Sequence, residues 1–337
     1  MATEERNKPF LFSGSAQVIV RYSHVMLFCL CLGACTTLPN KQTIVVGDSQ
    51  FTYATLGEGR PVVVFESGFG APMKNWVDIF PQVAKFSTVF TYNRLGYEGS
   101  GNKEKFENSA TVKELLQTAG EFALDSVVPG ASTAVSAASM ATAEDKDAQP
   151  IRTARELNQE LRQLLQATGM SPPYILVGHS LGGLLSLYYA RTYPDEVLGL
   201  VLVDSSHPQQ HQRCIARFGE QECNPSGLIK SALKMLPDEM YAEFRGIDET
   251  GRQVMAAPPL RPIPFIVLSH GQNEKMDTAP MTAQWPDFQR ELTTMSTSGK
   301  LIIAEGSGHF IQNDKPELVI DAIKQVLEEV RHRKDDE

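Results

Sequence analysis

The chain has 337 residues, 42% of them apolar, which is enough for one large domain or two ordinary ones with a sizeable core. A formal charge of -9 argues against a nucleic-acid partner, because such binding draws most of its affinity from clustered Lys and Arg. The one basic run, Arg331-His332-Arg333-Lys334, is offset by Asp335, Asp336 and Glu337 and reads as a solvated tail.

The first patterned segment is apolar, Met26 to Leu32, and is far shorter than the ~20 residues a membrane-spanning helix needs, so it fits a signal-peptide core. It ends in Leu32-Gly33-Ala34-Cys35, which resembles the bacterial lipobox. That resemblance implies that residues 1–34 are removed, that Cys35 is lipidated, and that the protein is exported to the bacterial cell envelope, touching the membrane only through the lipid anchor. Acidic Glu4 and Glu5 stand where a signal peptide has a short basic start; initiation at Val20, with Arg21 supplying the charge, gives a signal of ordinary length. In an oxidising compartment, Cys214 and Cys223, which enclose a short loop, read as a disulfide.

Thr43 to Val46 and Phe51 to Thr55, separated by Gly47-Asp48-Ser49, predict an antiparallel hairpin. Six apolar runs follow: Val62 to Phe65, Val89 to Tyr92, Tyr174 to Val177, Leu198 to Val203, Pro264 to Leu268 and Leu301 to Ala304. Continuous runs of this kind suit strands covered on both faces. A capping box at Thr153 and Glu156 opens a helix carrying Leu157, Leu161, Leu164 and Leu165, and a last helix is expected to start with Asp314 as its cap and Pro316 near its first position. The alternation predicts an α/β fold, a doubly wound, mostly parallel sheet of eight strands with its site at the strands' carboxyl ends. Two segments break the alternation. Residues 101–150 hold a low-complexity Ala/Ser/Thr run and read as an insertion; residues 205–262 separate two strands by far more than a usual connection and read as a small cap. The core is then 35–204 with 263–337.

The strand Tyr174 to Val177 runs into Gly178-His179-Ser180-Leu181-Gly182, and Gly183 onward starts a helix. A Gly-x-Ser-x-Gly between strand and helix is the arrangement that exposes a serine Oγ on a tight turn, where the flanking residues must be small. Here the chain resembles the α/β-hydrolase family over nearly all of Thr43 to Val330, in its capped branch of esterases, epoxide hydrolases and dehalogenases. The resemblance implies Ser180 as nucleophile and His309, in Gly306-Ser307-Gly308-His309-Phe310, as base. Two carboxylates occupy positions the family uses for the acid: Asp204, which ends the strand at Val203, and Glu274, in Gly271-Gln272-Asn273-Glu274. Asp204 is favoured because it leaves a buried strand end directly. The oxyanion donors implied are Leu181 N–H and, from Ser67-Gly68-Phe69-Gly70, Phe69 N–H. That loop carries Ser67 where the family has His. The turn Tyr92 to Ser100 resembles the family's Asp-x-x-Gly-x-Gly-x-Ser, with Asn93 for Asp and a structural role.

His207, His211 and Cys214 lack an evident fourth donor, so no metal is expected, and no cofactor. His179 and His270 are read as packed strand-end residues, Trp76 and Trp285 as core. The reaction expected is cleavage of a small-molecule carboxylic ester through an acyl-enzyme. Amide, thioester or lactone cleavage on the same residues is an alternative, and a catalytically inert, surface-tethered binding protein is one of another class.

Overall fold

The computed structural model describes residues 37–102, 146–225, 227–271 and 283–335. Cys35, Glu274 and most of the 101–150 insertion therefore lie outside the described residues. Leu38 to Glu337 forms one compact unit.

The hairpin predicted at the start is β1 (Lys41–Val46) and β2 (Ser49–Leu56), antiparallel and in register from Lys41↔Ala54 to Val46↔Ser49. β3 (Val62–Glu66), β4 (Val89–Tyr92), β6 (Tyr174–His179), β7 (Val197–Val203), β8 (Phe265–His270) and β9 (Gly299–Ala304) are the six apolar runs, each within one or two residues of its expected bounds. They lie in the order β1-β2-β4-β3-β6-β7-β8-β9, parallel from β4 onward, and the two-residue strand β5 (Gly101–Asn102) pairs with β2. The path thus has the eight strands expected.

Side chains of a strand alternate between faces, and each face here has its own core. Val62, Val64, Leu176, Leu200, Leu202 and Val267 pack beneath α2 (Ala154–Ala167) and α3 (Leu181–Thr192). Val63, Phe65, Ile175, Val177, Val201 and Leu268 pack against Trp76, α1 (Phe80–Val83) and, at the C-terminus, α11 (Pro316–Asp335). The capping box at α2 forms, Glu156 accepting from Thr153 N at 2.9 Å. α11 buries Val319, Ile323, Val326 and Val330 as its spacing predicts.

Between β7 and β8 come α4 (Gln210–Phe218), α5 (Glu220–Cys223), α6 (Gly227–Leu233), α7 (Asp238–Arg245) and α8 (Ile247–Ala256). Cys214 and Cys223 are joined in a disulfide. The far end of this segment is bonded to the start of α2: Thr250 Oγ1 accepts from Ala154 N at 2.9 Å, and Ala242 O accepts from Arg152 N at 3.0 Å. α7 lies on the turn after β4, where Met240 and Tyr241 cluster with Tyr97 and Leu236. No helix of the described residues is long and apolar enough to cross a membrane.

The strand order reverses at β3, which lies between β4 and β6, and such a switch point opens a crevice at the carboxyl ends of the strands. Glu66 pairs with Gly178, so the loop after β3 and the turn after β6 leave the sheet side by side. Gly182 is what lets them meet: a Cβ there would lie 2.2 Å from Glu66 O and 2.6 Å from Ser67 O, both backbone atoms that cannot swing aside. Gly182→Ala is expected to cost about 3 kcal/mol. Urea denaturation measures it, and a loss below about 0.5 kcal/mol contradicts the close approach.

Candidate active site

Ser180 sits at the junction of β6 and α3 with φ 53° and ψ -121°. Among the described residues only three other than glycine have positive φ, and two of them are Ser180 and Asp204 (φ 45°). Such backbone costs of order 1–3 kcal/mol per residue and persists where the surroundings over-determine it. Around Ser180 they do: its N–H donates to Val203 O at 3.2 Å, and its carbonyl accepts from Gly183 N at 2.9 Å and Ser206 N at 3.1 Å. Leu181 opens α3, so its N–H has no acceptor within the helix.

Asp204 follows β7 and has no solvent exposure. Every donor it needs comes from the C-terminal third of the chain. Oδ2 accepts from His309 Nδ1 at 2.6 Å and from His270 Nδ1 at 2.7 Å; Oδ1 accepts from Trp285 Nε1 at 2.9 Å and His270 N at 3.0 Å. Burial alone would raise this carboxyl, but the hydrogen bonds from His270 and His309 outweigh it and hold Asp204 well below the usual carboxylate range. A carboxylate only accepts, so both imidazoles carry a proton on Nδ1, and in the neutral tautomer this fixes for His309 the free acceptor is Nε2.

His309 is fixed from three sides. His179, the neighbour of Ser180, donates from Nε2 to His309 O at 3.0 Å, and the two rings stand 4.7 Å apart. Trp285, which opens α9 (Trp285–Thr293), meets the His309 ring edge-on at 5.6 Å. Asp314 does not cap α11. It ends α10 (Ile311–Asp314), and its carboxylate turns back to accept from Gly308 N at 2.9 Å and Ser307 Oγ at 3.2 Å, closing the loop that carries His309. α11 starts at Pro316 itself. With Pro316 in the first helical position the cap position falls on Lys315, so Asp314 stands one residue too early to cap and serves the loop instead.

On the other side of Ser180 lies the loop 67–70. Ser67, present where the family has His, accepts from Trp76 Nε1 at 3.0 Å, and Phe69 packs on Phe244 of α7 at 5.8 Å. Asn93 holds the neighbouring turn, accepting from Met73 N at 2.7 Å and donating to Glu98 O at 2.6 Å. A Cβ on Gly68 would lie 3.1 Å from Ser180 Cβ, so this loop borders the serine directly.

Of the residues singled out from the sequence, Ser180, Leu181, Asp204, His309 and the loop of Phe69 come together at one end of the sheet. His207, His211 and Cys214 do not form a site: Cys214 is in the disulfide, His207 stacks on Phe288 at 4.6 Å, and His211 Nδ1 lies 2.6 Å from Asp248. The sequence points His270 and Trp285 to the packed interior and Asp314 to a helix cap, not to this site. A signal existed for His270, since it ends a buried strand beside the one that ends in Asp204; Trp285 carried none.

Burial pushes the imidazole of His179 down to about 3, and that of His207 down to about 4. Unfolded, both bind a proton near pH 6.5, so the unfolded chain takes up more protons below that pH and stability falls with it. Asp204, depressed below its ordinary value, keeps its contribution through this window and loses it only at lower pH. The melting temperature should therefore drop between pH 6.5 and 4, and His207→Gln should make the drop shallower. Parallel curves for the two proteins would refute the assignment.

Residues 61–221 match the family described as alpha/beta hydrolase fold. An uncharacterized protein of Bacillus subtilis (strain 168), YqjL, is 24% identical over 271 residues, covering 80% of this chain and 85% of its own. Among solved structures, a thermophilic esterase from Thermogutta terrifontis is similar with a TM-score of 0.52 at 17% identity, over 86% of this chain and 98% of its own. An enol-lactonase from Burkholderia xenovorans LB400 is similar with a TM-score of 0.51 at 15% identity, over 86% of this chain and all of its own. At such identities the structural likeness shows the fold alone. The chain is a protein of the α/β-hydrolase fold.

Proposed function

We propose that the protein is a serine hydrolase that cleaves carboxylic esters through an acyl-enzyme, with Ser180 as nucleophile, His309 as base and Asp204 as the acid behind it. The observation that carries this reading is the 2.6 Å bond between the fully buried Asp204 carboxylate and His309 Nδ1, beside a serine held at a strained strand-to-helix turn. That bond sets the tautomer in which His309 Nε2 takes the Ser180 proton. Ser180 Oγ attacks the acyl carbon, and the carbonyl oxygen becomes an oxyanion met by Leu181 N–H and Phe69 N–H. As the ester C–O bond breaks, His309 gives the proton to the leaving alkoxide. Water repeats the sequence and releases the acid. The esterase and enol-lactonase named above act on acyl C–O bonds by their names, which favours an ester over an amide here. The segment 205–262, whose α7 packs on Tyr97 and Phe69, serves as the cap.

Labelling with a fluorophosphonate probe tests the nucleophile. One adduct on Ser180 is expected, absent in Ser180→Ala, and Asp204→Asn should lower kcat on nitrophenyl esters by about three to four orders of magnitude. A folded wild-type protein that takes no label overturns the reading and favours an inert binding protein.

Export with a lipid on Cys35 is part of the same proposal, and the Cys214–Cys223 disulfide supports it, since disulfides persist in oxidising compartments. Intact-mass measurement of the protein from its bacterial envelope should give a chain beginning at Cys35 with added acyl mass; a mature chain retaining Met1 refutes this.

A further inference from the structure

Phe69 N–H serves as an oxyanion donor only if its peptide plane faces the right way, and a buried charge cluster bears on that plane. Arg94, 3% exposed, donates from Nη1 to Glu66 Oε1 at 2.6 Å and Ser67 O at 2.7 Å. From Nη2 it donates to Gly68 O at 2.8 Å, Glu243 Oε1 at 2.8 Å and Tyr97 OH at 3.0 Å, and from Nε to Glu243 Oε2 at 3.0 Å. Tyr97 in turn donates to Glu243 Oε1 at 2.7 Å and accepts from Gly70 N at 3.1 Å. The carbonyls of two successive loop residues and one amide of the same loop are thus held by a single polar unit.

We propose that Arg94, held in place by Glu243 and Tyr97, is a positioning residue that orients the Gly68–Phe69 peptide and so aims the Phe69 N–H at the oxyanion. This rests on the reading of Ser180 given above. In a planar trans peptide the C=O and N–H point to opposite sides. Drawing Gly68 O toward the guanidinium therefore turns Phe69 N–H away from it, and Gly68 borders the elbow itself: a Cβ on it would lie 3.0 Å from His179 Nδ1 and 3.1 Å from Ser180 Cβ. Tyr97 clamps the loop two residues on, and Gly68 O also accepts from Ala71 N at 3.4 Å, so turning the plane breaks a second bond. A lysine cannot replace the guanidinium, because one ammonium has three donors and no fork to bridge Glu66, Glu243 and two carbonyls. Stability is a poor reason for such a cluster, since buried ion pairs roughly break even against apolar packing. Glu243 belongs to α7, so the geometry of the oxyanion loop depends on the segment between β7 and β8.

The test uses the full chain and three variants, Tyr97→Phe, Glu243→Gln and Arg94→Lys, each checked for folding by its melting transition. On a short nitrophenyl ester, kcat should fall about 10- to 100-fold with KM changed by less than about twofold. Inhibition by phenylboronic acid, whose tetrahedral adduct carries the anionic oxygen, should weaken by the same factor, while inhibition by the product carboxylate stays unchanged. Tyr97→Phe keeps both charges of the Arg94–Glu243 pair and decides the matter where Arg94→Lys does not fold. Folded Tyr97→Phe and Glu243→Gln proteins with wild-type kcat and boronate affinity overturn the proposal, as does a loss confined to melting temperature. A wild type that fluorophosphonate leaves unlabelled fails the Ser180 reading instead, so the two failures are distinguishable.

Discussion

One carboxylate with no contact with water fixes the carboxyl end of the sheet. Removing a charge from water costs several kcal/mol unless donors replace the lost hydration, and around Asp204 they come from His270, Trp285 and His309. Three separate stretches of chain are thereby tied to the end of β7. The positive φ of Asp204 belongs to the same constraint, because the chain must turn sharply on leaving the strand for its side chain to reach the ends of β8 and β9. His309 is then held in one place and one tautomer before any substrate arrives.

The opposite side of Ser180 solves a similar problem by other means. Arg94 is a buried cation, and burial works against its charge, but Glu243, Tyr97 and Glu66 outweigh that and keep it charged. Glu66, between Arg94 and the Tyr92 hydroxyl, is raised by its burial above the ordinary carboxylate value even so. The two tryptophans divide between these halves, Trp285 donating to Asp204 and Trp76 to Ser67. Each indole combines a large apolar body with one directed N–H, which suits a position between the core and a polar site.

The strands were legible in the sequence because a doubly covered strand is a run of Val, Ile, Leu and Phe, and no other element of this length needs one. The elbow was legible because Gly178 and Gly182 are dictated by backbone approaching backbone, a requirement that no other residue meets. The partners of the site were not. Glu66, Arg94 and Glu243 are scattered over 177 positions, and only the fold brings both carboxylates to within 3.0 Å of the guanidinium. His270 and Trp285 look like core residues in a sequence because they are core residues; their extra bonds depend on Asp204 being next to them. Asp314 misled for a local reason: Asp before Pro is a helix-start signal, and a loop six residues earlier took its carboxylate instead.

The chain order of these bonds says when the site exists. On a ribosome, β3, β6 and the elbow at Ser180 are all made before residue 205, whereas every donor to Asp204 lies between residues 270 and 309. A nascent chain thus carries the serine long before it carries the imidazole, and the end of β7 stays an unanswered charge until nearly the whole protein has emerged. Completion of the site and the final closure around Asp204 are therefore the same event, so an unfinished chain holds Ser180 without the imidazole and carboxylate set beside it.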